Sequence, residues 1–140
     1  MDLTDPIIGY EISRNFGVSR QKLFNAFIDG ETLTKIWGVS EISVDAKPGG
    51  QTHAKLQYGA ENWDFTITYR EVVVCEKLKW VVQFKRFPQK EILVTLHFHD
   101  TESGSKLIFA QENFESPAER DGNRNANEQA LEKLGKILSG

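Results

Sequence analysis

From Ser40 onward, apolar and polar residues exchange places at every second position, and they do so for roughly 75 residues. A period of two marks strands buried on one face. The clearest run sets Trp63, Phe65, Ile67, Tyr69, Glu71 and Val73 against Asp64, Thr66, Thr68 and Arg70. The next strand puts Leu78, Trp80, Val82 and Phe84 on one face. Ile92, Val94, Leu96 and Phe98 follow, then Leu107 and Phe109. The interruptions are turn sequences: Lys47-Pro48-Gly49-Gly50, Gly59-Ala60, Phe87-Pro88, and Asp100-Thr101-Glu102-Ser103-Gly104. Strands are expected near residues 40–46, 50–58, 62–74, 77–85, 90–100 and 105–115. No interruption has the dozen residues that a crossover between parallel strands requires, so neighbours pair antiparallel in a meander.

Helical periods flank this block. Ile8 to Phe16 reads as a first strand, with Ile8, Tyr10, Ile12 and Phe16 on one side and Arg14 at its rim. Ser19 caps a helix whose first turn Val18 and Leu23 can staple, and Leu23, Phe24, Phe27 and Ile28 face inward. Asp29-Gly30 is expected to end it, with Gly30 in the left-handed terminating position. A second short helix, Glu31 to Trp37, stops at Gly38.

The last quarter opens with Ser116-Pro117-Ala118-Glu119, a capping box with proline at the first helical position. Ala126, Ala130, Leu131, Leu134, Ile137 and Leu138 then recur at three and four. Burying the four large aliphatics stabilises by roughly 6–12 kcal/mol at most. Ordering each backbone residue costs ~1–2 kcal/mol, so this helix must lie on something. Its N-terminal half carries only small and polar residues on the same stripe, which leaves room for a cavity beneath it. Gly122-Asn123-Arg124-Asn125 is poor helix material, and a soft break is expected there.

The order strand, two helices, six strands, long helix predicts an α+β domain over residues 1–140. A seven-stranded curved antiparallel sheet would wrap around the C-terminal helix. With 140 residues the core needs no staple, and a single cysteine, Cys75, allows no internal disulfide. The net charge of −3 comes without a basic run, which argues against a nucleic-acid partner. Met1 to Pro6 reads as neither signal peptide nor anchor, and no apolar run is long enough to span a membrane, so the cytoplasm is the expected compartment.

Several stretches together resemble one family across nearly the whole chain. They are Gly17-Val18-Ser19-Arg20-Gln21-Lys22-Leu23-Phe24-Asn25-Ala26-Phe27, Ile36-Trp37-Gly38, Lys47-Pro48-Gly49-Gly50, Tyr69-Arg70-Glu71-Val72 with Glu76-Lys77-Leu78, Gly104-Ser105-Lys106-Leu107, and Gly122. They are similar to the AHSA1-like (activator of Hsp90 ATPase homologue-like) branch of the START / Bet v 1-like, or SRPBCC, superfamily. The resemblance implies a helix-grip fold that binds apolar or amphipathic molecules, such as lipids, polyketides or flavonoids, between sheet and helix. A minority of the superfamily are cyclases or hydrolases. Asn123 stands where many members have tryptophan, which enlarges and polarises that space.

The first functional reading is therefore a binder of a small hydrophobic or amphipathic ligand, with no cofactor and no metal. Tyr10, Trp63, Phe65, Trp80, Phe98 and Phe109 would line the pocket, with Ala126 and Ala130 on the helix above it. Asn123, Asn127 and Gln111 would supply polar contacts, Asn113 shares the parity of Gln111, and Trp37 would guard the entrance. Two readings stand beside it. An enzyme on a similar ligand needs a buried titratable group, and Glu71, which shares the inward parity of Tyr69, is the acid–base candidate; a rim ion pair with Arg14 is the bland alternative. A protein-interaction or chaperone-accessory module would instead show a filled interior and an exposed apolar patch. His97 and His99 form an H-x-H on one strand face, but outward from Phe98, where exposed surface histidines are the rule. His53 is expected to be exposed, and Cys75, beside Glu76 at a turn, to be an inert thiol.

Overall fold

The computed structural model describes residues 8–139; the Met1 to Pro6 opening lies outside them. The elements, in chain order, are β1 (Gly9–Phe16), α1 (Arg20–Ala26), α2 (Gly30–Trp37), β2 (Glu41–Ser43), β3 (Gln51–Lys55), β4 (Gln57–Tyr58), β5 (Glu61–Asn62), β6 (Phe65–Val73), β7 (Lys77–Phe84), β8 (Ile92–Thr101), β9 (Gly104–Glu112) and α3 (Pro117–Ser139). Seven strands form one sheet in the order β1-β9-β8-β7-β6-β3-β2, with every neighbour antiparallel. This is the curved sheet of the helix-grip fold, with two short helices early and one long helix last.

Two of the expected strands are split. Residues 50–58 become β3 and β4, and residues 62–74 become β5 and β6, with β4 and β5 forming a separate two-stranded arm. Asp64 makes the break. Its carboxylate accepts from the Leu56 backbone N–H at 2.9 Å and from Asn62 Nδ2 at 3.3 Å, while its own N–H donates to Asn62 Oδ1 at 2.9 Å. Side-chain bonds of this kind offer the backbone an alternative to ladder pairing.

A bulge alters the face of one strand. Between Tyr69 and Glu71 the β6–β7 register shifts, so that Glu71 lies opposite Lys79 and Val72 opposite Leu78. Odd positions face the core up to Tyr69, and even positions do so beyond the bulge. An extra residue reverses side-chain parity in this way. Glu71 is consequently on the outer face, against the inward placement expected from its spacing. Its Oε2 lies 3.0 Å from Lys77 Nζ and 4.0 Å from Lys79 Nζ, so its partners are these lysines and not Arg14.

The helix ends differ from expectation at one place. Ser19 caps α1, accepting from the Lys22 N–H at 3.1 Å. Gly30 does not terminate α1 in a left-handed turn; α1 ends on right-handed Phe27, and Gly30 is the first residue of α2. Asp29 caps α2 by accepting from Thr32 N at 3.2 Å and Thr32 Oγ1 at 2.6 Å. These bonds, the Thr32 hydroxyl first, hold its carboxyl below the usual range. A Cβ on Gly30 would stand 3.2 Å from Ile42 Cγ2, so the glycine serves the close approach of α2 to β2. Gly38, with φ 69°, does end α2 as a left-handed cap.

α3 runs unbroken through Gly122-Asn123-Arg124-Asn125, so the expected soft break is absent. Ser116 Oγ accepts from the Glu119 N–H at 3.1 Å, and the Glu119 carboxylate reaches back to the Glu115 N–H at 3.1 Å. Contacts of Asn123 with β1 and an Arg124–Glu128 pair at 3.2 Å then hold the weak turn, an override of propensity by tertiary bonds. Ala130, Leu131 and Leu134 are buried, whereas Ala126 and Ile137 are exposed. At 3.6 residues per turn both lie on the same flank, about 70–90° from the centre of the buried stripe.

Candidate functional site

Between the sheet and the N-terminal half of α3 lies an inner chamber of about 170 Å³. Its floor is the inward face of the strands: Phe65 and Ile67 from β6, Trp80, Val82 and Phe84 from β7, and Phe109 and Gln111 from β9. Trp37, at the end of α2, and Leu56 close one side; Asn123 and Asn127 of α3 form the roof. No ionisable side chain lines it. Phe84, Ile92 and Asn123 also bound an outer vestibule of about 510 Å³, whose other walls include Trp63, Phe87, Phe114 and Gly122. The vestibule carries charge: Lys90 Nζ lies 3.6 Å from a Glu115 carboxylate oxygen, and Glu119 lines the same wall.

The aromatic walls are fixed by edge-on packing. Trp37 meets Phe65 and Trp80 at ring separations of 5.9 and 6.5 Å, both T-shaped. Trp80 meets Tyr69 at 5.9 Å. Tyr69, almost fully buried, shares a 2.7 Å hydrogen bond with Thr52, and burial pushes its phenol pKa up.

The roof is held by a polar network that crosses from helix to sheet. The Tyr10 hydroxyl of β1 donates to Asn123 Oδ1 at 2.5 Å and accepts from Asn127 Nδ2 at 2.9 Å. Asn127 Nδ2 also approaches Asn123 Oδ1 at 2.9 Å. The Tyr10 ring stacks on Phe114 at 5.9 Å. Burial drives the Tyr10 phenol well above its ordinary pKa, against the opposing bond from Asn127, so it is a neutral donor. Gln111 is 7% exposed, and its Oε1 accepts no hydrogen bond from any described residue.

Of the residues expected at the site, Trp37, Phe65, Trp80, Phe109, Gln111, Asn123 and Asn127 meet around the inner chamber. Trp63 lines the vestibule. Tyr10 stands behind the roof as its anchor. Phe98 is elsewhere, in the core under α1, where Phe24 and Phe27 meet it edge-on at 5.3 and 5.9 Å. Ala130 is packed in the core, and Ala126 is turned to solvent. Asn113 is exposed, and its side chain donates to the Glu91 carbonyl at 2.7 Å.

Leu56, Ile67, Val82, Phe84 and Ile92 complete the lining beyond the expected residues, and all five carry the signal of inward parity, Leu56 with buried Ala54 opposite exposed His53.

The other candidates lie outside the cavity. His97 is half-buried and His99 exposed, with rings 6.3 Å apart, and among the described residues no group of three or more His, Cys, Asp or Glu is placed to hold a metal ion. Cys75 takes a left-handed φ of 63° in the β6–β7 turn. His53 is exposed in a polar trough of about 670 Å³ on the outer face of the sheet, with Lys55, Thr66 and Lys85. No described helix is long and apolar enough to cross a membrane.

Solved structures share this architecture. A Chromobacterium violaceum protein, 18% identical, superposes with a TM-score of 0.84 over 94% of this chain and 98% of its own. A Staphylococcus aureus protein of unknown function, 15% identical, reaches 0.83 over 99% and 97%. An uncharacterised Rhizobium leguminosarum protein, 14% identical, reaches 0.82 over 96% and 95%. These likenesses establish the fold alone. No curated protein matches the sequence. Residues 17–139 match the family described as activator of Hsp90 ATPase homolog 1-like protein, and the chain, from the Ser19 cap through the end of α3, belongs to that family.

Proposed function

We propose that the chain binds a small hydrophobic or amphipathic molecule between its sheet and α3. The observation that carries this reading is the inner chamber, aromatic on its floor and roofed by two asparagines, with a wider vestibule beside it that shares Phe84, Ile92 and Asn123 as walls. Concave sites with apolar walls and a few placed polar groups are the usual form of small-molecule sites. The vestibule's Lys90 and Glu119 would meet a polar tail, which suits an amphipathic ligand. We take the compartment to be the cytoplasm, in keeping with a lone thiol at Cys75.

A chaperone-accessory module would need a coherent exposed apolar patch. The exposed large hydrophobic side chains of the described residues are spread over four places: Val73 and Val74 at the β6–β7 turn, Tyr58 on the β4–β5 arm, Phe87 after β7 and Ile137 on α3. Native mass spectrometry of freshly purified protein, with solvent extraction of anything released on denaturation, tests the binding reading. A discrete extra mass lost on denaturation supports it. Failure of every lipid, polyketide and flavonoid probe to bind the purified protein overturns it.

A further inference from the structure

We propose that the vestibule takes the ammonium head of an amphipathic amine, held between aromatic walls and the Glu119 carboxylate. The inference rests on the ligand-binding reading and adds the charge of the ligand's polar end.

The walls supply the first reason. Trp63, Phe84, Phe87 and Phe114 all line the vestibule. Trp63 meets Phe84 edge-on at a ring separation of 5.6 Å and Phe87 at 6.1 Å, so these rings form one continuous wall. Aromatic faces are electron-rich; they attract an ammonium ion and offer apolar area to the carbon skeleton beside it. The same faces repel a carboxylate. At about 510 Å³ the space has the ordinary size of a site for a small organic molecule.

The charges supply the second. Lys90, Glu115 and Glu119 are the charged side chains of the lining, so the walls carry one more negative charge than positive. Lys90 Nζ is taken up by Glu115 at 3.6 Å. Glu119 is in no ion pair among the described residues. One of its oxygens accepts from the Glu115 N–H at 3.1 Å, which fixes the carboxylate in the first turn of α3, and the other accepts from no described residue. The N–H of Glu119 itself, a group that favours anions at a helix start, is already taken by Ser116 Oγ at 3.1 Å. Arg86, which is not among the vestibule walls, lies over the Trp63 ring at 4.7 Å and is matched by Glu61 at 3.1 Å, so it leaves the balance unchanged. A cation with an apolar skeleton suits both the rings and the unmatched carboxylate.

The test is calorimetric titration at neutral pH with three probes of one skeleton: 3-phenylpropylammonium, 3-phenylpropan-1-ol and 3-phenylpropanoate. The wild type is expected to bind the ammonium at least ~5-fold more tightly than the alcohol, and the carboxylate most weakly. Glu119→Gln keeps an acceptor for the Glu115 N–H and removes the charge. In that variant the preference for ammonium over alcohol should shrink by at least ~3-fold. An alcohol or carboxylate that binds as tightly as the ammonium, or an unchanged preference in Glu119→Gln, overturns this inference and leaves the ligand-binding reading intact. If none of the three binds the wild type, this inference falls, and the broader reading is decided by mass spectrometry and the other probes. Should Glu119→Gln fail to fold, salt makes the comparison on the wild type. Raising it must weaken the ammonium more than the alcohol, and equal weakening overturns the assignment.

Discussion

Tyr10 of β1 and Asn123 of α3, separated by 113 residues of sequence, are joined by a 2.5 Å hydrogen bond at the roof of the cavity. The bond ties the weakest part of α3 to an edge strand of the sheet. Replacing Tyr10 by Phe removes that donor and the acceptor of Asn127 Nδ2 while keeping the ring on Phe114. Tyr10→Phe is expected to lower unfolding free energy in urea by about 1–2 kcal/mol. An unchanged midpoint would show that the network does not hold the roof.

Alkaline stability follows from the same residue. Tyr10 and Tyr69 both have folded pKa values raised, chiefly by burial, above the ordinary 10.0. A raised folded pKa means the native state keeps its proton where the unfolded state has lost it. The contribution is therefore whole below pH 10 and is lost as pH rises beyond it. Melting temperature should fall above about pH 10, and the double variant Tyr10→Phe, Tyr69→Phe should fall less steeply than wild type. Equal slopes would refute the assignment.

Glu71 offers a contrasting case. The hydrogen bond from Lys77 lowers its carboxyl pKa, so whatever it contributes is present above the ordinary value of 4.5 and lost as pH falls through the lowered one. Its side chain is 45% exposed, where salt and water screen the pair. Glu71→Gln is expected to leave both the neutral-pH melting temperature and the binding of a hydrophobic or amphipathic probe unchanged. Lost binding would place this carboxylate in the ligand's path after all.

Glu71 also shows what the sequence made legible and what it hid. Strict alternation located the strands, their antiparallel pairing and most of the floor of the chamber, because parity is a local property. The bulge at Arg70 is not visible in the alternation, since an extra residue leaves no compositional mark, so the parity of Glu71 points inward while the alternative of a rim ion pair is the one realised, with Lys77 and Lys79 in place of Arg14. Phe98 had the right parity but the wrong depth; which end of the sheet α1 covers is a tertiary fact. Asn123, Asn127 and Gln111 were readable as polar residues on inward faces, whereas their division into two bonded amides and one unpartnered oxygen required coordinates.

The two flanks of α3 give a paired stability test. Leu134 is fully buried, and Leu134→Ala should cost about 2–5 kcal/mol, the range for a deleted core side chain. Ile137 lies one turn on but is 38% exposed, and Ile137→Ala should cost less than about 1 kcal/mol. Similar losses from the two would mean that the helix is rotated from the orientation described.

Gly122 tests the continuity of α3 directly. The glycine is helical, its φ is not left-handed, and a Cβ there would meet nothing within 4 Å. In an unbroken helix Gly122→Ala gains the propensity difference and restricts the unfolded chain, so it should stabilise by about 0.5–1 kcal/mol. At a true break the same change would be neutral or harmful, because alanine would oppose the non-helical backbone. Hydrogen exchange separates the outcomes further. Amides at 120–126 that become slower to exchange in Gly122→Ala, with those at 130–137 unchanged, would show that the turn over the vestibule is helical but the softer half of α3, and that its stability can be raised without altering the packing of Leu131 and Leu134 beneath the other half.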